Sequence, residues 1–363
     1  MRPNHQQKAH FDGLASEFMT RLDGSVPHRD LIERMLASVL RMSGDDRRAD
    51  LKITAAALEE MEHSFDVLEM FYQRRKVSIF GSARSAPSSP VYEQAKDFAE
   101  AIVERGYMVI TGAGPGVMAA GNEGAGREHS FGMGILLPRE GASNPHIRGD
   151  LKDISFKYFF TRKLAFLKDC HGVVLCPGGF GTHDEGFETL TLIQTGKAQL
   201  LPVVCLAPEG NTIWQDWHHY NCETLLAQGM ISDEDLSLYK VTHSIEEACD
   251  EICRFYRRYH SLRFRGQELF VRLTRSVDPQ ELEVLNTDFA DLAEGPIEAC
   301  SAPSGEAYDP TLENLPSLRF RFTNGNYGRL RQMIDFLNDC RAEECADVPP
   351  ERGEGGRMPA ETD

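Results

Sequence analysis

The chain reads as an α/β protein: a parallel sheet with helical crossovers, preceded by helices and followed by a small strand–helix extension. Three observations carry that expectation. Short apolar runs at 77–80, 107–110, 131–137, 173–176 and 201–206 suit buried strands. Amphipathic stretches of helical period separate several of them. Two of the runs end in glycine-rich turns that pass straight into helix-compatible sequence. At 363 residues the chain can bury a large core, which favours one main domain with additions.

Residues 1–30 are polar and read as irregular. From 30 to 72 the pattern is helical. Leu31, Met35, Leu36, Val39 and Leu40 share one face, and a turn at Ser43-Gly44-Asp45-Asp46 interrupts it. Ile53, Leu58, Met61, Phe65, Leu68 and Phe71 then mark a longer helix. This preface either covers an edge of the core or joins a subunit interface.

Arg74-Arg75-Lys76 leads into the first strand, 77–80, and Gly81-Ser82-Ala83-Arg84 follows at its carboxyl end. Ligands of open α/β sheets gather at such ends. Ser82 can donate to a ligand oxygen, and Arg84 either pairs with a phosphate or stands solvated. Residues 92–105 form a helix with Ala95, Phe98, Ala99, Ile102 and Val103 inward. The second strand, 107–110, ends in Thr111-Gly112-Ala113-Gly114-Pro115-Gly116-Val117-Met118. Pro115 breaks the dinucleotide fingerprint, and no acidic ribose-binding residue follows at the right strand end, so a nicotinamide enzyme fits poorly. Asn122 and Glu123 face either ligand or solvent. The third strand, 131–137, is closed by Pro138, and 140–150 reads as a loop over the pocket. A short strand is expected within 154–160. Arg162-Lys163 then opens a helix, where two cations oppose the helix dipole. They are either solvated or reach an anion shared with the next motif.

That motif organises the chain: Gly172-Val173-Val174-Leu175-Cys176-Pro177-Gly178-Gly179-Phe180-Gly181-Thr182-His183-Asp184-Glu185. It reads as a strand, a glycine-rich turn and a helix start. Free backbone amides at such a turn make an anion site, with phosphate the commonest guest. Glu185 and Glu188, three apart, suggest chemistry on the bound molecule; the plainer alternative is a ligand-free turn followed by solvated glutamates. A strand at 201–206, a helix at 214–228, a strand at 239–241 and a helix at 245–259 complete the core. Beyond it, strand regions at 262–273 and 318–322, helices within 278–292 and 328–337, and a turn-rich stretch at 302–316 make a strand–helix extension. The domain boundaries are therefore an N-terminal helical extension at 1–73, a Rossmann-like α/β core carrying the glycine-rich turns at 74–260, an α+β extension at 261–340, and a disordered tail at 341–363.

Acidic residues exceed Lys plus Arg by 56 to 39, a net charge of -17, which argues against a nucleic-acid partner. The opening residues lack an apolar signal core, and no run reaches the roughly 20 apolar residues of a membrane helix. The expectation is a cytoplasmic protein with no membrane partner. Nine scattered cysteines form no Cys-x-x-Cys pair. His218-His219 lack partners at ligand spacing, so no metal and no cofactor is called.

Pro177-Gly178-Gly179-Phe180-Gly181-Thr182-His183-Asp184-Glu185 resembles the PGGxGTxxE signature of the LOG (“Lonely Guy”) phosphoribohydrolases, a family long misnamed “lysine decarboxylase”. Gly81-Ser82-Ala83-Arg84, the turn at 111–118 and Arg162-Lys163 stand in the family's order, so the resemblance covers about residues 75 to 257. It implies a Rossmann-like three-layer fold, a homodimer or higher homo-oligomer, and hydrolysis of the N-glycosidic bond of nucleoside 5'-monophosphates, AMP and/or cytokinin ribotides. It implies Arg162 and Glu185 as catalytic residues. Gly178, Gly179, Gly181 and Thr182 match the phosphate turn, and Glu188 matches a further acidic position. Gly81, Ser82, Arg84, Gly114, Gly116 and Lys163 complete the expected substrate contacts. Two departures stand out: Gly112-Ala113-Gly114 replaces a glycine triplet, and His183-Asp184-Glu185 replaces Leu-Glu-Glu. The rival reading is a nucleotide sensor or nucleotide-cofactor carrier that does not hydrolyse. A pyridoxal-phosphate decarboxylase has no recognisable lysine site here.

Overall fold

A computed structural model of the chain describes residues 5–22, 26–43, 47–137, 142–301, 312, 315–323 and 325–339. The turn at 44–46, most of the turn-rich stretch 302–316, part of the 140–150 loop and the tail 341–363 lie outside the described residues. The chain forms two compact units, 1–62 and 63–363, which divide inside a helix.

The first unit holds α1 (His5–Arg21), α2 (Arg29–Met42) and most of α3 (Arg48–Glu69). The expectation of irregular chain over 1–30 fails at α1. Among its described side chains, 9–21, Ala15 and Met19, four apart, form the buried strip. A strip that narrow leaves almost no helical period to read. In α2 and α3 the expected apolar stripe is helical, but Leu31, Met35, Val39, Ile53 and Leu58 are exposed.

The second unit is built on seven strands: β1 (Lys76–Phe80), β2 (Met108–Thr111), β3 (Ser130–Ile135), β4 (Asp153–Phe156), β5 (Val173–Leu175), β6 (Val203–Leu206) and β7 (Tyr239–Thr242). They form one parallel sheet in the order β4-β3-β2-β1-β5-β6-β7. Both faces of its central strands are covered, which is why β2, β5 and β6 read as apolar runs while the edge strands β4 and β7 are mixed. Val77, Ile79, Val109, Val174 and Val204 pack with α4 (Pro90–Glu104), α5 (Val117–Ala125) and α9 (Ile245–Phe255). Phe80, Ile110, Phe131, Leu175 and Cys205 face the other way, towards α6 (Phe159–Lys168), α7 (Phe180–Gln194) and α8 (Ile213–Tyr220). Alternate residues of each strand thus serve opposite layers. The expected Rossmann-like α/β sheet is what the chain forms.

Local chemistry sets the helix starts. Ser89 caps α4 by accepting from the Tyr92 amide, and Pro90 takes the first helical position, where its missing N–H costs nothing. The chain lays down β1 to β4 in one direction, then returns to set β5 against the other side of β1. The order reverses there, so a crevice opens at the carboxyl ends of β1 and β5.

The C-terminal extension is a second sheet. β8 (Tyr259–Arg265), β9 (Glu268–Leu273), β10 (Ala293–Ser301) and β11 (Pro316–Phe322) pair antiparallel in the order β10-β11-β9-β8. α10 (Pro279–Asp288) and α11 (Tyr327–Asp339) join it. β10 was not expected. It is an edge strand carrying Gly295 and Pro296, and Ile297 is its only fully buried residue, so it shows no alternation. Leu262, Val271, Leu318 and Met333 share a continuous core with Trp214 and Phe255. Asn338 accepts from the Arg258 and Tyr259 amides at 3.0 and 2.9 Å, tying α11 to the start of β8.

Candidate functional site

The switch point brings three turns together, and Ser82 joins them. Its amide donates to the Pro177 carbonyl at 3.1 Å, and its carbonyl accepts from the Val117 amide at 3.0 Å. Its hydroxyl accepts from the Arg84 amide at 3.1 Å. These contacts demand small residues. Gly116 sits at φ +67°, and a Cβ there would overlap the Ser82 carbonyl. A Cβ on Gly178 would overlap the Thr182 hydroxyl. Ala113, between Gly112 and Gly114, also holds a left-handed φ of +59°. Side chains rarely adopt that conformation, and the Thr111 hydroxyl supports it by accepting from the Ala113 amide at 3.1 Å.

A cleft of about 730 Å³ lies at the carboxyl ends of β1 and β5. Among the expected site residues, Gly81, Ser82, Arg84, Arg162, Gly178, Gly179, Gly181, Thr182 and Glu185 line it. An adjoining cavity of about 1110 Å³ holds Gly114 and Gly116 and shares Arg84 and Arg162 with the first. Lys163 and Glu188 line neither. α7 opens from Gly179 without a side-chain cap, so its first amides are left for water or an anion.

Glu185 stands one turn after Thr182 and is only 7% exposed. Burial pushes its carboxyl up to about 7, and Glu188 and Asp184 push the same way, while Lys163 and Arg162 oppose them. The Arg162 Nε donates to the Met133 carbonyl at 2.7 Å, and its guanidinium carbon lies 4.9 Å from the Phe166 ring centre. Lys163 Nζ lies 2.5 Å from Glu188, 2.9 Å from Asp184 and 3.6 Å from Glu185.

Some residues that shape the site were passed over in the sequence. Gly112 is one: a Cβ there would overlap the Arg162 guanidinium, so the missing side chain makes room for it. The signal was present in the turn's first glycine but had no partner assigned. Met118 and Phe159 line both cavities. Phe180, inside the signature, is 97% exposed at the mouth of the cleft. Of the two residues left open between ligand and solvent, Asn122 is fully buried. It accepts from the Thr111 hydroxyl at 2.8 Å and the Asn144 amide group at 2.9 Å, bracing the second turn. Glu123 is bound to Lys96 and Tyr92, each at 2.7 Å.

Among the described residues no group of three or more His, Cys, Asp or Glu side chains is placed to hold a metal ion. Nor is any of their helices long and apolar enough to cross a membrane.

A family model described as “Possible lysine decarboxylase” matches residues 115–252. No curated protein matches the chain. Among solved structures, TM1055 is 24% identical, over 48% of this chain and 95% of its own, with a TM-score of 0.34. A molybdenum cofactor binding protein from the phototrophic bacterium Rippkaea orientalis is 20% identical, over 48% of this chain and 92% of its own, at 0.31. The molybdenum cofactor carrier protein of Chlamydomonas reinhardtii is 17% identical, with the same two coverages, at 0.33. The matched segment contains the 177–185 signature, Arg162 and Lys163. Residues 115–252 of the α/β core are thus similar to the family whose model carries the lysine decarboxylase description.

Proposed function

We propose that the core hydrolyses the N-glycosidic bond of nucleoside 5'-monophosphates to free base and ribose 5-phosphate. The observation that carries this reading is a buried carboxylate, Glu185, one turn beyond an uncapped glycine-rich helix start and in the same cleft as Arg162. In this reading the 178–182 turn and Arg84 take the 5'-phosphate, which converts binding energy into orientation of the sugar. Loss of the base leaves oxocarbenium character at the anomeric carbon. Ionised Glu185 stabilises that charge and accepts a proton from the attacking water, whose oxygen bonds to the anomeric carbon as the carbon–nitrogen bond breaks. The departing base keeps the bonding electron pair and takes up a proton. Arg162 positions the nucleotide through charge-assisted hydrogen bonds. Ser82, Gly81, Gly114 and Gly116 supply the close backbone approach. In this reading the protein acts in the cytoplasm as a homodimer or higher homo-oligomer, without a cofactor.

The test is to incubate the full chain with AMP, other common monophosphates and isopentenyladenosine 5'-monophosphate, and to separate free base by chromatography. The reading expects free base with an equal amount of ribose 5-phosphate from at least one of them, and the ranking names the base. Nucleotide binding with no base released from any member overturns it and leaves the sensor or carrier reading.

A further inference from the structure

Arg162 and Lys163 are neighbours in sequence but serve different sides of α6. Successive helical residues point about 100° apart. Arg162 turns to the β3 carbonyl of Met133 and to the second glycine turn. Lys163 turns to α7, where its ammonium meets Glu188, Asp184 and Glu185 within 3.6 Å. An ammonium already flanked by three carboxylates has little charge left for a phosphate, and Lys163 does not line the cleft. We propose that Lys163 is a positioning residue: it ties the acidic face of α7 to α6 and holds the Glu185 carboxylate ionised and in place, without binding phosphate itself. The proposal rests on the reading of Glu185 as the group that acts.

The charged groups facing Glu185 are Lys163 and Arg162 from α6, with Glu188 and Asp184 from its own helix. Burial and the two acids favour the neutral carboxyl, and the two cations oppose them, Lys163 more strongly than Arg162. Without Lys163, Arg162 alone opposes three unfavourable influences.

Two readouts test this on the full chain, using Lys163→Met, Lys163→Gln and Lys163→Arg. The first is kcat and KM for AMP across pH 5.5–9.5. Loss of the ammonium should move the acid limb of kcat up by about one pH unit or more, lowering kcat at pH 6.5 about tenfold. KM should stay within about threefold, and Lys163→Arg should restore most of the limb. The nucleotide's own phosphate ionisation is common to all variants and cancels. The second readout needs no turnover: carbon-13 carboxyl resonances are followed with pH, with Glu185 assigned by the signal missing in Glu185→Gln. Its midpoint should rise in Lys163→Met and Lys163→Gln. A wild type that releases no base sinks the hydrolase reading alone, and the resonance titration still judges Lys163. A tenfold rise in KM with an unmoved limb, or an unmoved Glu185 midpoint, overturns the proposal.

Discussion

Two buried glutamates in this chain meet opposite fates. Glu185 in the switch-point cleft is 7% exposed, and Glu281 under the C-terminal sheet is 9% exposed. Burial disfavours the charge of both. At Glu281 it is overcome. Arg258 grips the carboxylate with both terminal nitrogens at 2.9 and 2.7 Å, and the Asp278 amide donates at 2.9 Å, so its carboxyl is held below the usual range. At Glu185 burial wins: the Lys163 ammonium is 3.6 Å away and shared with two other acids, and the carboxyl rises to about 7. The saturated carboxylate belongs to the scaffold. The under-satisfied one, beside a cleft, has the proton affinity that acid–base chemistry at neutral pH uses.

The comparison can be broken most sharply at Glu185. Glu185→Gln should cut base release by about 10²–10⁴-fold while nucleotide affinity, measured by calorimetry, changes little. Equal losses of turnover and affinity would assign Glu185 to binding. Next in size is the scaffold pair. Arg258→Met leaves Glu281 buried without its partner and should cost about 3–5 kcal/mol in urea unfolding. A cost below about 1 kcal/mol would make the pair marginal.

Stability should also respond to pH, with opposite sign from an ordinary carboxylate. The Glu185 carboxyl is raised from 4.5 to about 7 in the fold. Between those values the native state keeps a proton that the unfolded chain has lost, so stability falls as pH rises through that window, and the deficit persists above it. Glu185→Gln removes the deficit. It should be about 1–3 kcal/mol more stable than wild type at pH 8.5 and no more stable at pH 4. Identical pH profiles would show that the site does not raise the carboxyl. The smallest effect expected is at the turn. Gly178→Ala forces a Cβ onto the Thr182 hydroxyl and should weaken AMP binding about tenfold, at a stability cost of about 1–2 kcal/mol.

Much of this was legible in the chain because glycine and burial leave strong marks. Parallel strands covered on both faces are apolar without interruption, so β1, β2, β3, β5 and β6 stood out. The turn at 177–182 was legible because close backbone approach admits only glycine at Gly178. What escaped depends on neighbours. β10 is an exposed edge strand, and among the described side chains of α1 two are buried. What Arg162 and Lys163 each meet follows from the packing of α6 between the second turn and α7, which no local pattern encodes. The depth of Glu185 is likewise a product of packing, since its spacing from Glu188 equally suits two solvated glutamates.

The measurement that goes to the centre of the account is base release per folded molecule in wild type, Glu185→Gln and Glu281→Gln, with folding checked by circular dichroism at the assay temperature. The account predicts that Glu281→Gln lowers the unfolding midpoint yet keeps its turnover, whereas Glu185→Gln stays folded and releases almost no base. Base release that survives in Glu185→Gln, or that falls equally in both folded variants, would contradict it.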